Sequence, residues 1–192
     1  SAGLPLVPAG MFKKLTANSR PCIYHHFLSL FLQPMVTILV TGCAGFIGSH
    51  VCTLLLAKGF SVIGIDNFDP FYSRAVKENN LSGFLHHSSF VFYEMDITQG
   101  LDGITEKNIS AVIHLAAKAG VRPSIEDPAG YVNVNITGTQ NIHAFMQARS
   151  VRKLIFASSS SVYGNNKKTP FSEADNVDNP ISPYAFTKKA GE

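Results

Sequence analysis

From residue 36 onward, short apolar runs alternate with longer amphipathic stretches. The runs rich in β-branched and aromatic residues predict strands over Val36–Thr41, Ser61–Asp66, Phe90–Glu94, Ala111–Leu115 and Lys153–Ala157. Apolar positions at helical spacing predict helices over Ile47–Lys58, Ser73–Phe84, Val132–Arg149 and Pro183–Glu192, with a short one over Leu101–Lys107. Strands alternating with helices make βαβ units and a parallel sheet. Right-handed crossovers then give an α/β fold, a Rossmann-like doubly wound sheet with helices on both faces. The unbroken apolar run Ala111-Val112-Ile113 fits a strand buried on both faces.

Composition adds a boundary to this picture. The chain has 192 residues, of which 45% are hydrophobic and 15% charged, enough for one domain with its own core. The formal net charge of +3 comes entirely from Lys13, Lys14 and Arg20, because residues 1–35 contain no acid. Residues 36–192 are therefore neutral overall, which leaves no electrostatic footprint for nucleic acid. Residues 1–35 read as a tag, a leader or a disordered extension, and residues 36–192 as the folded domain. The apolar stretch Cys22–Leu32 is broken by His25-His26 and is too short to span a bilayer, so no membrane partner is expected. Three cysteines (Cys22, Cys43 and Cys52) are an odd, unpatterned set that fits a reducing, cytoplasmic compartment. The pairs His25-His26 and His86-His87 lack metal-ligand spacing, and no metal is expected.

Chemistry enters at the first strand–helix junction. Gly42-Cys43-Ala44-Gly45-Phe46-Ile47-Gly48 is G-x-x-G-x-x-G, one residue longer than the common dinucleotide fingerprint. Glycines let backbone approach a pyrophosphate, and the free N–H groups of a helix start point at it. Asp66 ends the second strand 18 residues after Gly48, close to the position of an acid that binds the adenosine ribose. A carboxylate there accepts from both ribose hydroxyls and repels a 2′-phosphate, favouring NAD over NADP; the alternative is a strand-end Asp capping the next turn. Arg74 is the nearby cation that could argue for NADP, and it reads as a solvated helix residue. Asn67 follows Asp66 in the same loop. Asp96, followed by Ile97, could reach an adenine amino group or cap the next segment, and both readings stay open.

Two later segments complete a pattern. Ser158, Ser159, Ser160 and Ser161 precede Val162-Tyr163-Gly164 after the fifth strand, and Tyr184-x-x-x-Lys188 places two side chains on one helical face. With the glycine turn, they resemble the extended short-chain dehydrogenase/reductase superfamily. His114-Leu115-Ala116-Ala117-Lys118-Ala119-Gly120-Val121-Arg122-Pro123-Ser124 and Asn133-Val134-Asn135-Ile136-Thr137-Gly138-Thr139 are similar to its NAD-dependent epimerase/dehydratase branch. Val121-Arg122-Pro123-Ser124, the four-serine run and Asn179–Ala185 are most similar to UDP-glucuronate 4-epimerases. The 4,6-dehydratases of the branch carry Thr-Asp-Glu before Val-Tyr-Gly; Ser159, Ser160 and Ser161 stand there instead, so the acid and base for water elimination are missing.

The resemblance implies NAD as cofactor and a UDP-sugar as substrate. It places the cofactor on Gly42, Gly45, Phe46, Ile47, Gly48, Asp66, Asn67, Asp96, Ile97, Leu115, Ala116, Ala117, Lys118, Asn135, Ser158, Tyr184 and Lys188. It places the sugar on Gly120, Arg122, Ser159, Ser160 and Ser161, and the chemistry on Ser159, Tyr184 and Lys188. Tyr184 would be the general base, Lys188 would favour its phenolate, and Ser159 would position the reacting hydroxyl. A unit charge about 4 Å away at an effective dielectric near 20 is worth about 4 kcal/mol, enough to move a phenol by roughly 3 pKa units. The implied reaction is oxidation of the sugar at C4 to a ketone, turnover of that ketone and re-reduction from the opposite face. The alternatives are an inactive NAD-binding fragment, or another reaction of the branch: UDP-glucose/galactose epimerisation, UDP-glucuronate decarboxylation or 4,6-dehydration. The resemblance also implies a substrate domain beyond Glu192, and a homodimer of the full-length form through the helices Val132–Arg149 and Pro183–Glu192.

Overall fold

The computed structural model describes residues 36–192, so the expectations for residues 1–35 lie outside the described residues. Five strands, β1 (Thr37–Thr41), β2 (Ser61–Asp66), β3 (Phe90–Glu94), β4 (Ile109–His114) and β5 (Leu154–Phe156), form one sheet in the order β3-β2-β1-β4-β5. Every pairing is parallel. The sheet is the doubly wound one expected. The chain builds outward from β1 to β3, then returns to the other side of β1, and that reversal opens a crevice at the carboxyl ends of β1 and β4.

Period-two alternation within the strands supplies two cores. Leu39, Ile63, Ile65 and Val112 face one side of the sheet with Ile142, Phe145 and Met146. Ile38, Val40 and Val62 face the other with Cys52, Leu56 and Leu81. Helices α1 (Phe46–Ala57) and α2 (Arg74–Ser82) cover the second side. Removing one such buried leucine side chain costs about 2–5 kcal/mol, so each face contributes on the scale of a domain's net stability. Cys43 and Cys52 are buried free thiols.

The helical run expected over Val132–Arg149 starts earlier, at Pro128, and is broken into three segments. Asp127 caps α4 (Pro128–Val132) by accepting from the Gly130 N–H at 2.9 Å, with proline pre-set in the first turn. A π-helical turn follows over Asn133–Thr137, and α5 (Gly138–Ala148) completes the run. A short helix absent from the periodicity reading, α3 (Val121–Glu126), precedes them. The helix expected over Leu101–Lys107 does not form. Leu101 and Ile104 are drawn into the core from a non-helical segment, and Arg149 donates to the Ile104 and Glu106 carbonyls of that segment. The last helix, α6 (Pro183–Gly191), starts at Ser182, whose hydroxyl accepts from the Ala185 N–H at 3.1 Å. No helix among the described residues is long and apolar enough to cross a membrane.

Candidate active site

The glycine turn joins β1 to α1. Gly42 sits at φ +72°, where a Cβ would press on the Ala116 backbone. Its N–H donates to the Ile65 carbonyl at 2.7 Å, and its own carbonyl accepts from the Gly45 N–H at 3.1 Å. A Cβ at Gly48 would run into that same Gly42 carbonyl. The spacing therefore serves close packing of the helix start on the turn. Gly45 is the N-cap of α1 and supplies no side-chain cap, and no acid stands in the first turn. The orphan N–H groups of Phe46, Ile47 and Gly48 open into a cleft of about 280 Å³. Their partial positive charge suits an anion.

Asp66 closes the opposite wall and is more committed than a free ribose acceptor would be. It is buried, and its Oδ1 accepts from Lys77 Nζ at 2.9 Å and from the Phe68 N–H at 2.9 Å. Its Oδ2 accepts from the Ala44 N–H at 3.1 Å. A carboxylate offers about four acceptor sites, so three are filled and the expected pair of ribose bonds exceeds what remains. Asp66 thus both caps the turn and lines the cleft. Lys77, not Arg74, is the cation at this wall. Arg74 donates to both carboxylate oxygens of Glu94 and to Glu78, and lies 4.2 Å from the Phe68 ring centroid.

Of the two open readings of Asp96, the structure shows the cap and also places the residue at the cleft. It caps the 3₁₀ turn Ile97–Gln99, accepting from the Thr98 N–H at 2.8 Å, and it lines the cleft with Asn67 and Ile97. Burial works against its charge, but the Thr98 and Asn67 donors prevail and hold the carboxyl below its ordinary value.

Leu115, Ala116, Ala117 and Lys118 continue β4 into the cleft. The π-helical turn aims Asn135 inward, where it is buried. Its Oδ1 accepts from the Lys118 N–H at 2.8 Å, and its amide donates to the Lys118 carbonyl and to Thr187 Oγ1, both at 3.0 Å. Asn135 therefore holds the cleft wall and α6 rather than lining the cleft. Lys118 Nζ pairs with Asp127 at 3.0 Å, which holds that carboxyl below the usual range.

The serine run and α6 meet beside Ala157, which also lines the cleft. Buried Lys188 donates to the Ala157 carbonyl at 2.9 Å, and burial pushes its ammonium down to about 8. Ser159 caps the 3₁₀ turn Ser160–Tyr163, and its oxygen accepts from the Ser161 N–H at 3.2 Å and from Ser161 Oγ at 2.9 Å. Its lone pairs are used and its own proton is left to donate. Ser158 donates to Glu192. Tyr184 opens α6, with its N–H donating to buried Ser124 Oγ at 3.0 Å and its ring edge-to-face with Tyr131. Gly120 caps α3 at φ +100° and Arg122 is exposed in its first turn; neither lines the cleft.

The family model described as GDP-mannose 4,6 dehydratase matches residues 39–192, the whole stretch that carries these groups. The chain belongs to the NAD-dependent epimerase/dehydratase family. Among curated family members, the UDP-glucuronate 4-epimerase of Thermodesulfobacterium geofontis is 49% identical over 80% of this chain and 48% of its own length. The crystal structure of UDP-glucuronic acid 4-epimerase from Bacillus cereus with UDP-glucuronic acid and NAD has a TM-score of 0.75 at 39% identity, covering 81% of this chain and 50% of that one. A UDP-N-acetylglucosamine 4-epimerase from Methanobrevibacter ruminantium has a TM-score of 0.73 at 32% identity, over 82% and 48%. The chain spans about half the length of the curated relatives it matches.

Two residues of this family member's site escaped the sequence reading. Lys77 was indistinguishable from any helix lysine, since its partner lies 11 positions away across a loop. Tyr131, whose hydroxyl donates to the Ala119 carbonyl at 2.6 Å, stands one residue before the predicted helix and belongs to no motif that could mark it.

Proposed function

We propose that this chain supplies the NAD-binding and proton-transfer part of a UDP-sugar 4-epimerase, with UDP-glucuronate as the substrate converted to UDP-galacturonate. The observation that carries the reading is the cleft itself: uncapped helix N–H groups on one side, a ribose-side carboxylate on another, and Ala157, tethered to Lys188, on a third. The fit to a dinucleotide rests on these donors and on the glycine packing that leaves no room for a Cβ.

In this reading Phe46, Ile47 and Gly48 bind the pyrophosphate through backbone N–H groups. Asp66 and Lys77 hold the adenosine ribose, the first accepting and the second donating. Asp96 and Ile97 bracket the adenine, and Leu115 to Lys118 form the wall toward the nicotinamide. Bound NAD supplies a reversible hydride acceptor. Tyr184 takes the proton of the sugar 4-hydroxyl. Lys188, one helical turn on, favours by its charge the phenolate form in which Tyr184 accepts that proton. Ser159 donates its remaining proton toward the sugar, which orients the reacting hydroxyl. Ser160 and Ser161 offer no carboxylate for elimination, which favours epimerisation over dehydration. A homodimer of the full-length form is part of the same proposal.

Calorimetric titration of the chain with NAD and NADP tests the binding half, with measurable NAD binding and weaker NADP binding expected. Turnover of UDP-glucuronate by a full-length form tests the rest. UDP-galacturonate without carbon dioxide is expected; carbon dioxide release would replace epimerisation by decarboxylation, and no NAD binding would overturn the reading altogether.

A further inference from the structure

Thr41 and His114 are register partners across β1 and β4, and both are buried. The imidazole bridges two threonines: Nδ1 lies 2.7 Å from Thr41 Oγ1, and Nε2 lies 3.0 Å from Thr139 Oγ1. The surroundings determine which nitrogen carries the proton. Thr139 Oγ1 is 2.6 Å from the Asn135 carbonyl oxygen, which has no hydrogen to give, so the threonine donates there. Nε2 must then donate to Thr139. At the other end, Thr41 Oγ1 already accepts from the N–H groups of Leu115 at 3.2 Å and Ala116 at 3.1 Å. Its lone pairs are filled, so its own proton goes to Nδ1.

The chain of donors therefore runs one way, from Thr41 through His114 and Thr139 to Asn135. A doubly protonated ring would aim an N–H at an oxygen with no lone pair left. Burial, then the charges of Lys188 and His143, push the imidazole down to about 4. No buried side-chain polar atom among the described residues lacks a partner, so the network is fully satisfied.

Its two ends reach different parts of the site. The Thr41 end holds the backbone of Leu115 and Ala116, which line the cleft. The Thr139 end holds the π-helical turn, whose Asn135 amide binds Thr187, and Thr187 in turn donates to the Tyr184 carbonyl at 2.9 Å. We propose that His114 is a positioning residue that, as its neutral Nε2–H tautomer, ties the cofactor-side backbone of Leu115 and Ala116 to the helix that carries Tyr184. The functional meaning rests on the reading of the cleft given above; the tautomer does not.

Long-range ¹⁵N–¹H correlation spectra of the unliganded chain at pH 7 read the tautomer directly. A protonated Nε2 and a bare Nδ1 are expected; a protonated Nδ1 overturns the proposal. Two variants then separate the arms. His114→Asn keeps an acceptor for Thr41 and loses the donor to Thr139. It should leave NAD affinity within about twofold and speed amide exchange over Pro183–Gly191 about tenfold, the worth of roughly one buried hydrogen bond. His114→Gln keeps a donor for Thr139 and should do the reverse, weakening NAD about tenfold. A purely structural histidine would degrade both readouts together in both variants, and that parallel loss also overturns the proposal. Failure of the unsubstituted chain to bind NAD overturns the functional reading instead, while the tautomer and the exchange rates still decide the role of His114.

Discussion

Replacing Lys77 by methionine should destabilise the fold by about 3 kcal/mol, because it strands a buried carboxylate. The Lys77 and Asp66 side chains are only 8% and 4% exposed, and their atoms lie 2.9 Å apart. Breaking such a pair by removing one partner costs about 3–5 kcal/mol in general. Here the lower end applies, since Asp66 keeps the N–H groups of Ala44 and Phe68 as charge-assisted donors. Methionine matches the stem of lysine and preserves its packing, so the loss reports the charge. Urea denaturation measures it as a drop in midpoint at constant slope. The double variant Lys77→Met/Asp66→Asn should recover at least about 1 kcal/mol of the loss, since the two sites are in direct contact. The ion pair of Arg74 and Glu94 provides the contrast. Both of its side chains are about half exposed and screened by solvent, so Glu94→Gln should leave the urea midpoint nearly unchanged. A Lys77→Met loss as small as that of Glu94→Gln would refute the argument from burial.

Gly48→Ala should cost about 1–3 kcal/mol and weaken NAD binding, because the added methyl collides with the Gly42 carbonyl; unchanged melting temperature and affinity would disprove the close approach. Tyr184→Phe in a full-length form should abolish turnover with NAD affinity nearly intact, and retained turnover would remove Tyr184 as the base. Acid should destabilise the domain through His114. The unfolded chain takes up the proton below pH 6.5 and the folded chain only below about 4, so stability is full above 6.5 and falls through that window. At about 1.4 kcal/mol per pH unit this amounts to about 3 kcal/mol, read as the extra loss of the unsubstituted chain over His114→Gln between those two pH values.

The patterns most visible in the sequence were the ones held by local geometry. β2 and β3 run over Ser61–Asp66 and Phe90–Glu94 as predicted: β2 is nearly all apolar because it is buried along its length, and the edge strand β3 is marked by its β-branched and aromatic run. The glycine turn was equally legible, since only glycine fits at Gly42 and Gly48. Periodicity failed where distant groups took over the backbone. At Leu101–Lys107 the core took the Leu101 and Ile104 side chains from a non-helical segment whose carbonyls Arg149 holds, so the apolar spacing marked burial and not a helix. At Asn133–Thr137 a helix-compatible sequence widened into a π turn whose Asn135 bonds Lys118 and Thr187.

The sequence alone determined the order of the strands and the position of the glycine turn, and by resemblance it nominated Asp66, Ser159, Tyr184 and Lys188 for the proposed chemistry. Strands and turn follow from residue types whose constraints act over a few positions of chain. Tertiary structure decided how those groups are engaged. Only the fold brought Lys77 onto Asp66, tethered Lys188 to Ala157 and closed the chain from Thr41 through His114 to Asn135. Such partners lie far apart in sequence, and a polar side chain's role depends on which donors and acceptors reach it once water is excluded.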